Sequence, residues 1–218
     1  MSEFRTRALT GFFLVAGIVA AIWCGRWSWT GLVLLLAMLG FGEAQSAMRQ
    51  AWHGQKAWIR VLLSLVLVAV PAWGLSVLGW QDGDYDPLLP LGWFVLLWVN
   101  DTGAYLVGRK WGRRRIAPSI SPGKTWEGWA GGAAFTLAVA CWVHGGEGWG
   151  GLSVGQWCLM GAVVAVFGPM GDFAESALKR RAGIKDSGSI LPGHGGILDR
   201  FDSHFISAPI AAILLQVF

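Results

Sequence analysis

Seven apolar stretches, each close to the length a helix needs to cross hydrocarbon, follow one another with short connections between them. They run 8–24, 28–47, 57–79, 88–108, 126–144, 153–174 and 203–218, and a bilayer core asks for roughly 20 helical residues per crossing. Charged residues make up only 14% of the 218 and mean hydropathy is +0.50, whereas soluble domains carry about 25% charged residues. The expectation is an all-α polytopic membrane protein of about seven transmembrane helices. Residues 1–218 form a single membrane domain with no room for a separate soluble one. The fifth stretch is the weakest helix former because of Gly128, Gly131 and Gly132; the same small residues let membrane helices approach closely. The last stretch is short and depends on its neighbours.

Charge sets the orientation. If the stretches alternate in direction, one side collects Arg5 and Arg7, the 49–60 connection, the 109–124 connection and the 179–200 connection. That is 16 of the 17 Lys and Arg, with Arg26 alone opposite. Such bias places the N-terminus in the cytoplasm and the C-terminus outside. The pI of 9.3 is then a signal of topology and of an anionic membrane surface, not of nucleic-acid binding. Tryptophans support the layout: Trp23, Trp27, Trp29, Trp80 and Trp149 fall near outer ends, and Trp52, Trp58, Trp111, Trp126 and Trp129 near inner ends, as an aromatic belt. Cys24, Cys141 and Cys158 have no metal-ligand spacing and read as small buried hydrophobes. The first stretch lacks a good cleavage site and reads as a retained helix. No internal repeat suggests a transporter built from inverted halves.

Ionisable groups inside such stretches cost several kcal/mol each, and Glu43, Asp101, Asp172 and Glu175 all fall in the inner halves. Glu43 by itself reads as an interfacial acid that snorkels or pairs with a base. Asp172, Glu175, Ser176 and Lys179 stand at i, i+3, i+4 and i+7, one helix face. Pro169 between Gly168 and Gly171 offers a kink. The loop that follows is rich in Gly188, Gly193, Gly195 and Gly196, whose amides suit an anion, and Asp199 and Asp202 open the final helix. Carboxylates at Asp172 and Asp199, supported by Glu175, suit Mg²⁺, which takes one or two carboxylates plus phosphate oxygens and water. Lys179, Arg180, Lys185 and Arg200 would neutralise phosphate. Gly123-Lys124-Thr125 imitates a P-loop, but Pro118 stands where that motif needs glycine. What remains is a phosphate seat with Ser121 and Lys124. Asp101 and Tyr105 share a face at i, i+4.

Ser176, Leu178, Lys179, Arg180, Lys185, Asp186, Pro192, His194, Gly195, Gly196, Asp199, Arg200 and Asp202 resemble, with spacing intact, the signature of the phosphatidate cytidylyltransferase (CDP-diacylglycerol synthase) family. The 121–128 stretch, Asp101 with Ala104, Tyr105, Gly108 and Arg109, and Gly171-Asp172 with Glu175 and Ser176 are similar to further family elements in the family's order. The resemblance covers residues 95–218, the catalytic half; residues 1–90 match only as generic spans, and the family is usually longer at its N-terminal side.

The resemblance implies CTP and phosphatidic acid as substrates, CDP-diacylglycerol and pyrophosphate as products, and Mg²⁺ with room for a second cation. Asp172, Asp199, Lys179, Arg200 and Asp202 would carry the chemistry; Ser121, Lys124, Asp101, Tyr105, Arg180, Lys185, His194, Gly195 and Gly196 would bind substrate. It further implies a homodimer in a bacterial inner membrane, with the site facing the cytoplasm. Alternatives are a CTP-dependent transferase acting on an isoprenoid or ether-lipid phosphate, and a non-enzymatic transporter.

Overall fold

The computed structural model describes residues 3–81, 83–143 and 149–217. Met1, Ser2, Asp82, His144, the 145–148 part of the expected Gly-rich loop and Phe218 lie outside them. Each apolar stretch has its helix: α1 Glu3–Trp23, α2 Arg26–Ala51, α3 Ala57–Val77, α4 Leu88–Trp111, α5 Trp126–Val143, α6 Val154–Ala182 and, after the single turn α7 Leu198–Phe201, α8 His204–Val217. Four of them, α1, α2, α3 and α6, are long and apolar enough to cross a membrane. The chain is a helical membrane protein.

The all-helical expectation stands, and the structure refines it in four details. Two short ribbons accompany the helices. β1 Trp80–Gln81 pairs with β2 Asp84–Tyr85, and β3 Arg115–Ala117 pairs with β4 Ser121–Thr125. Pro118 and the Ser-Pro-Gly run cannot extend a helix, so what read as a phosphate-binding turn is a short antiparallel ribbon. Second, α6 continues to Ala182 where the apolar stretch ends near 174. Hydropathy stops there, but Ala-Glu-Ser-Ala-Leu-Lys-Arg-Arg-Ala is good helix material; Gly183, at φ 71°, ends it. Third, Trp29 is core rather than belt. It is buried with its indole donating to the Leu75 carbonyl at 3.0 Å. Trp23, Trp27, Trp58, Trp111 and Trp126 are exposed, as a belt requires. Fourth, Cys24 and Cys141 are exposed, and Cys141 Sγ lies 3.1 Å from Cys158 Sγ between α5 and α6. The outward face of a membrane helix meets hydrocarbon, where a thiol is as well placed as in a core.

Without a hydrophobic force between helices in lipid, close contact of small residues holds them together. Along α4–α5 a Cβ at Gly132 would stand 2.7 Å from the Asn100 carbonyl, and one at Gly128 would stand 2.8 Å from that of Ala104. The glycines that weaken α5 as a helix are thus its packing surface. A Cβ at Gly74 would meet the Pro209 backbone nitrogen at 2.6 Å, locking α3 to α8. The tryptophan-rich core of Trp29, Trp93, Phe94 and Trp157 joins α2, α4 and α6. The last turns of α2, α4 and α6 are basic, whereas those of α1, α3 and α8 carry no base. These cations also suit the negative end of each helix dipole.

Candidate active site

The basic ends of α4 and α6 converge with the β3–β4 ribbon and the α7–α8 junction. From α6, Asp172 accepts a hydrogen bond from Ser176 Oγ at 3.2 Å, as the i, i+4 spacing predicted. The ribbon carries Lys124 over to the same acid, and the two form an ion pair, with the ammonium 4.8 Å from the centre of the Phe173 ring. Asp101 and Tyr105 project from α4, and Arg109 Nη1 donates to the Tyr105 hydroxyl at 3.1 Å. Asn100, Asp101, Tyr105, Lys124, Thr125 and Asp172 line a cavity of about 290 Å³. Beside it lies a second cavity of about 400 Å³, where Asp101 and Asp172 recur with Asp199, Arg200 and Asp202. Its opposite wall is apolar: Leu14, Val15 and Ile18 from α1, and Phe94, Leu97 and Trp98 from α4. Asp101 and Asp172 therefore form a wall shared by two spaces. Asp172 and Asp199, from separate elements, open onto one of them.

Two carboxylates staple the loop between α6 and α8. Asp199 Oδ1 accepts from Lys179 Nζ at 2.6 Å; its Oδ2 accepts from the amides of Gly196 at 2.7 Å and Ser187 at 2.9 Å. Burial alone would raise the Asp199 carboxyl, but Lys179 and those two amides outweigh it and hold the group below the ordinary carboxylate range. Asp202 goes the other way. Burial, then the charge of Asp172, push it up to about 7. Its Oδ1 accepts from the Ser203 amide at 2.6 Å.

The second staple is Glu43 of α2. It is buried and accepts from the amides of Ile197 at 3.1 Å and Leu198 at 3.0 Å, and from Ser187 Oγ at 3.1 Å. It is no snorkelling surface acid. The sequence held a signal, since no base stands three or four residues away from Glu43 to pair with it. Gly188 and Gly196 have no room for a Cβ because the Glu43 carboxylate occupies it, and Gly195, at φ 85°, turns the chain under Asp199. The Gly196 amide, which the sequence offered to a substrate anion, is taken by Asp199.

The other expected residues are placed differently. Lys179 Nζ lies 2.5 Å from Glu175 Oε2, off the line of a hydrogen bond, so their contact is an ion pair. Glu175, an expected metal ligand, is buried behind the cavities and lines neither. Ser121 starts β4 opposite Ala117, outside both cavities. Arg180 is exposed and donates to the Ile184 carbonyl at 3.2 Å, closing the end of α6. Lys185 is exposed, and His194 packs beside Gly11 of α1. Among the described residues no three His, Cys, Asp or Glu side chains gather closely enough to hold an ion unaided. Asp172 and Asp199 both line the second cavity, and their residue type suits a hard cation that completes its shell with phosphate oxygens and water.

The packing of α6 on the α7–α8 junction creates this neighbourhood. Gly171 sits directly on the Asp202 carbonyl, closer than any Cβ tolerates. Gly171→Ala would favour the helix by about 1 kcal/mol by propensity alone. The obstacle is a backbone atom that cannot rotate away, so the substitution is expected to destabilise instead. It should lower the melting temperature of the purified protein by several degrees and part Asp172 from Asp202; an unchanged or raised melting temperature would contradict this packing.

Fold and site together define a helical membrane protein with an acid- and lysine-lined double cavity at one end of its helices. The chain belongs to the cytidylyltransferase family, whose model matches residues 53–218. The match begins well before residue 95, where the signature-based resemblance started. A phosphatidate cytidylyltransferase of Staphylococcus aureus strain COL is 45% identical over 128 residues, 56% of this chain. One of Bacillus subtilis is 46% identical over 131 residues. The chain spans about half the length of these relatives, 46% in each. The phosphatidate cytidylyltransferase of Pseudomonas aeruginosa is 36% identical over 253 aligned positions, covering 95% of this chain and 92% of the relative. Those positions outnumber the 218 residues here, so that relative carries segments this chain lacks.

Proposed function

We propose that this protein is a phosphatidate cytidylyltransferase. An oxygen of the phosphatidic acid phosphate attacks the α-phosphorus of CTP, a new P–O bond forms, the bond to the β-phosphate oxygen breaks, and pyrophosphate leaves with CDP-diacylglycerol as the other product. The observation that carries this reading is the wall of Asp101 and Asp172 shared by two cavities, one polar with Lys124 and one half apolar with Arg200. Two phosphate compounds, one of them a lipid, would meet across it. Such transfers need alignment and charge neutralisation more than a protein nucleophile.

In the polar cavity Lys124 would take a CTP phosphate, with Asp101 and Tyr105 orienting the nucleotide. Arg200 would hold the lipid phosphate, and Lys179 keeps Asp199 and Glu175 fixed. Asp172 and Asp199 would hold Mg²⁺, with space for a second cation, which supplies the positive charge that lets phosphates approach a wall of acids. The seven helices α1 to α6 and α8 would all cross the bilayer, with the N-terminus cytoplasmic and the C-terminus outside; the basic last turns of α2, α4 and α6 support this. The site would then face the compartment that holds CTP, in a bacterial inner membrane and in a homodimer. An isoprenoid or ether-lipid phosphate acceptor is the second reading, because the apolar wall accepts any chain.

The test uses purified protein, radiolabelled CTP and a panel of lipid phosphates. Label should enter the lipid extract with phosphatidic acid as the best acceptor, and a divalent-metal chelator should abolish incorporation. No lipid label with any acceptor, or full rate in chelator, would overturn the proposal.

A further inference from the structure

Cys141 of α5 and Cys158 of α6 hold their Sγ atoms 3.1 Å apart. The packing of the two helices brings them there. Ala140, next to Cys141, meets Gly161, about one turn beyond Cys158, so closely that a Cβ on the glycine would stand 3.0 Å from that of the alanine. Small residues let membrane helices come this near, and the thiols beside them are carried into contact. A disulfide has its sulfurs about 2 Å apart, so closing this one asks the side chains to move by about 1 Å. Cys141 is exposed and Cys158 partly so. The third cysteine, Cys24, follows α1 and is exposed and free.

The pair lies away from the site. Cys141 falls in the last turn of α5, which ends at Val143, and Cys158 just over one turn inside α6, which begins at Val154. The opposite ends of the same helices hold the acids and lysine. Trp126 opens α5 directly after the strand that carries Lys124, and Asp172 lies roughly 20 Å along α6 from Cys158 at about 1.5 Å per residue. In the orientation proposed above, the thiols are therefore near the outer surface, where disulfides form and persist.

We propose that Cys141 and Cys158 are a modification site, oxidised to a disulfide that staples α5 to α6 at their outer ends. Its place outside rests on the orientation given under the proposed function; its chemistry does not rest on the enzyme reading. The oxidant is a dithiol–disulfide carrier. The thiolate of one cysteine attacks the carrier's disulfide, and one carrier sulfur leaves. The other cysteine's thiolate then attacks the first cysteine's sulfur, the intramolecular S–S bond closes, and the second carrier sulfur leaves. Two thiols are oxidised, one carrier disulfide is reduced, and the two protons given up by the cysteines end on the carrier thiols.

The test counts thiols in the full chain, taken from cells quenched in acid so that no exchange follows. Maleimide–polyethylene glycol is added under denaturing conditions, with and without prior reduction. Wild type should take one label unreduced, at Cys24, and three after reduction. Cys141→Ala and Cys158→Ala should each take two labels under both conditions. Peptide mass should place the bridge between residues 141 and 158. Purified wild type should melt roughly 5–10 °C above either variant, and reduction should bring it down to their level. Three labels on unreduced wild type would leave the contact a thiol–thiol hydrogen bond and overturn the proposal. A melting temperature the same in wild type and both variants would overturn the staple. A bridge found in protein that incorporates no CTP would sink the enzyme reading and leave this one standing.

Discussion

Asp199→Asn should reduce incorporation of CTP into lipid by about a thousand-fold or more, in a protein that still inserts and purifies. The substitution keeps the size of the side chain and removes its charge. One asparagine oxygen would go on accepting from the Ser187 and Gly196 amides, which now hold Oδ2 at 2.9 and 2.7 Å. The amide nitrogen then faces Lys179, whose ammonium now lies 2.6 Å from Oδ1. Two donors would point at each other, and Lys179 would be left to Glu175 alone. Charge-assisted contacts are about twice as strong as neutral ones, and a factor of a thousand in rate corresponds to about 4 kcal/mol. Losing both the lysine contact and a carboxylate in the phosphate-binding space is enough to reach that figure. Glu175→Gln provides the contrast, because Glu175 lines neither cavity; its activity should fall far less. The measurement is labelled lipid formed per inserted protein, with near-wild-type thermal unfolding as the control on folding. Asp199→Asn turning over within ten-fold of wild type would remove Asp199 from the chemistry and leave it a loop staple.

What could be read from the sequence divides by range. The helices were legible because apolar length and charge bias are local or nearly local quantities, and all seven expected stretches carry one. Contacts within one helix were legible too: the i, i+4 pairs Asp172–Ser176 and Glu175–Lys179 both form. Contacts between elements were not. Lys124 meets Asp172 from 48 residues away, and Glu43 reaches the loop from 144 to 155 residues away. Spacing says nothing at such separations. The signature residues Lys179 and Gly196 looked like offerings to a phosphate and Asp199 like one to a metal ion, yet they partly satisfy one another. A dense set of charges must hold itself together before it can hold a ligand.

Glu43→Ala should free that same loop, and its effect on the folded protein should exceed that of any of the exposed arginines. Among the described residues the Glu43 carboxylate alone accepts from the Ile197 and Leu198 amides, both buried, and it also takes the Ser187 hydroxyl. Removing it leaves three buried donors without a partner, at about 1–3 kcal/mol each, and opens a space beside Gly188 and Gly196 where the carboxylate stood. A loss of roughly 3–5 kcal/mol, as for breaking a buried charged network, is large against typical stability. The first consequence should be local: the loop opens before the helices part, so tryptic cleavage after the exposed Lys185 should accelerate at least ten-fold while helix content by circular dichroism holds. Glu43→Gln should fall between, because its single oxygen can serve only part of the set and its amide would face an N–H. Should Glu43→Ala resist trypsin as wild type does, the carboxylate would not be what holds the loop, and the placing of Asp199 over the cavity would need another cause.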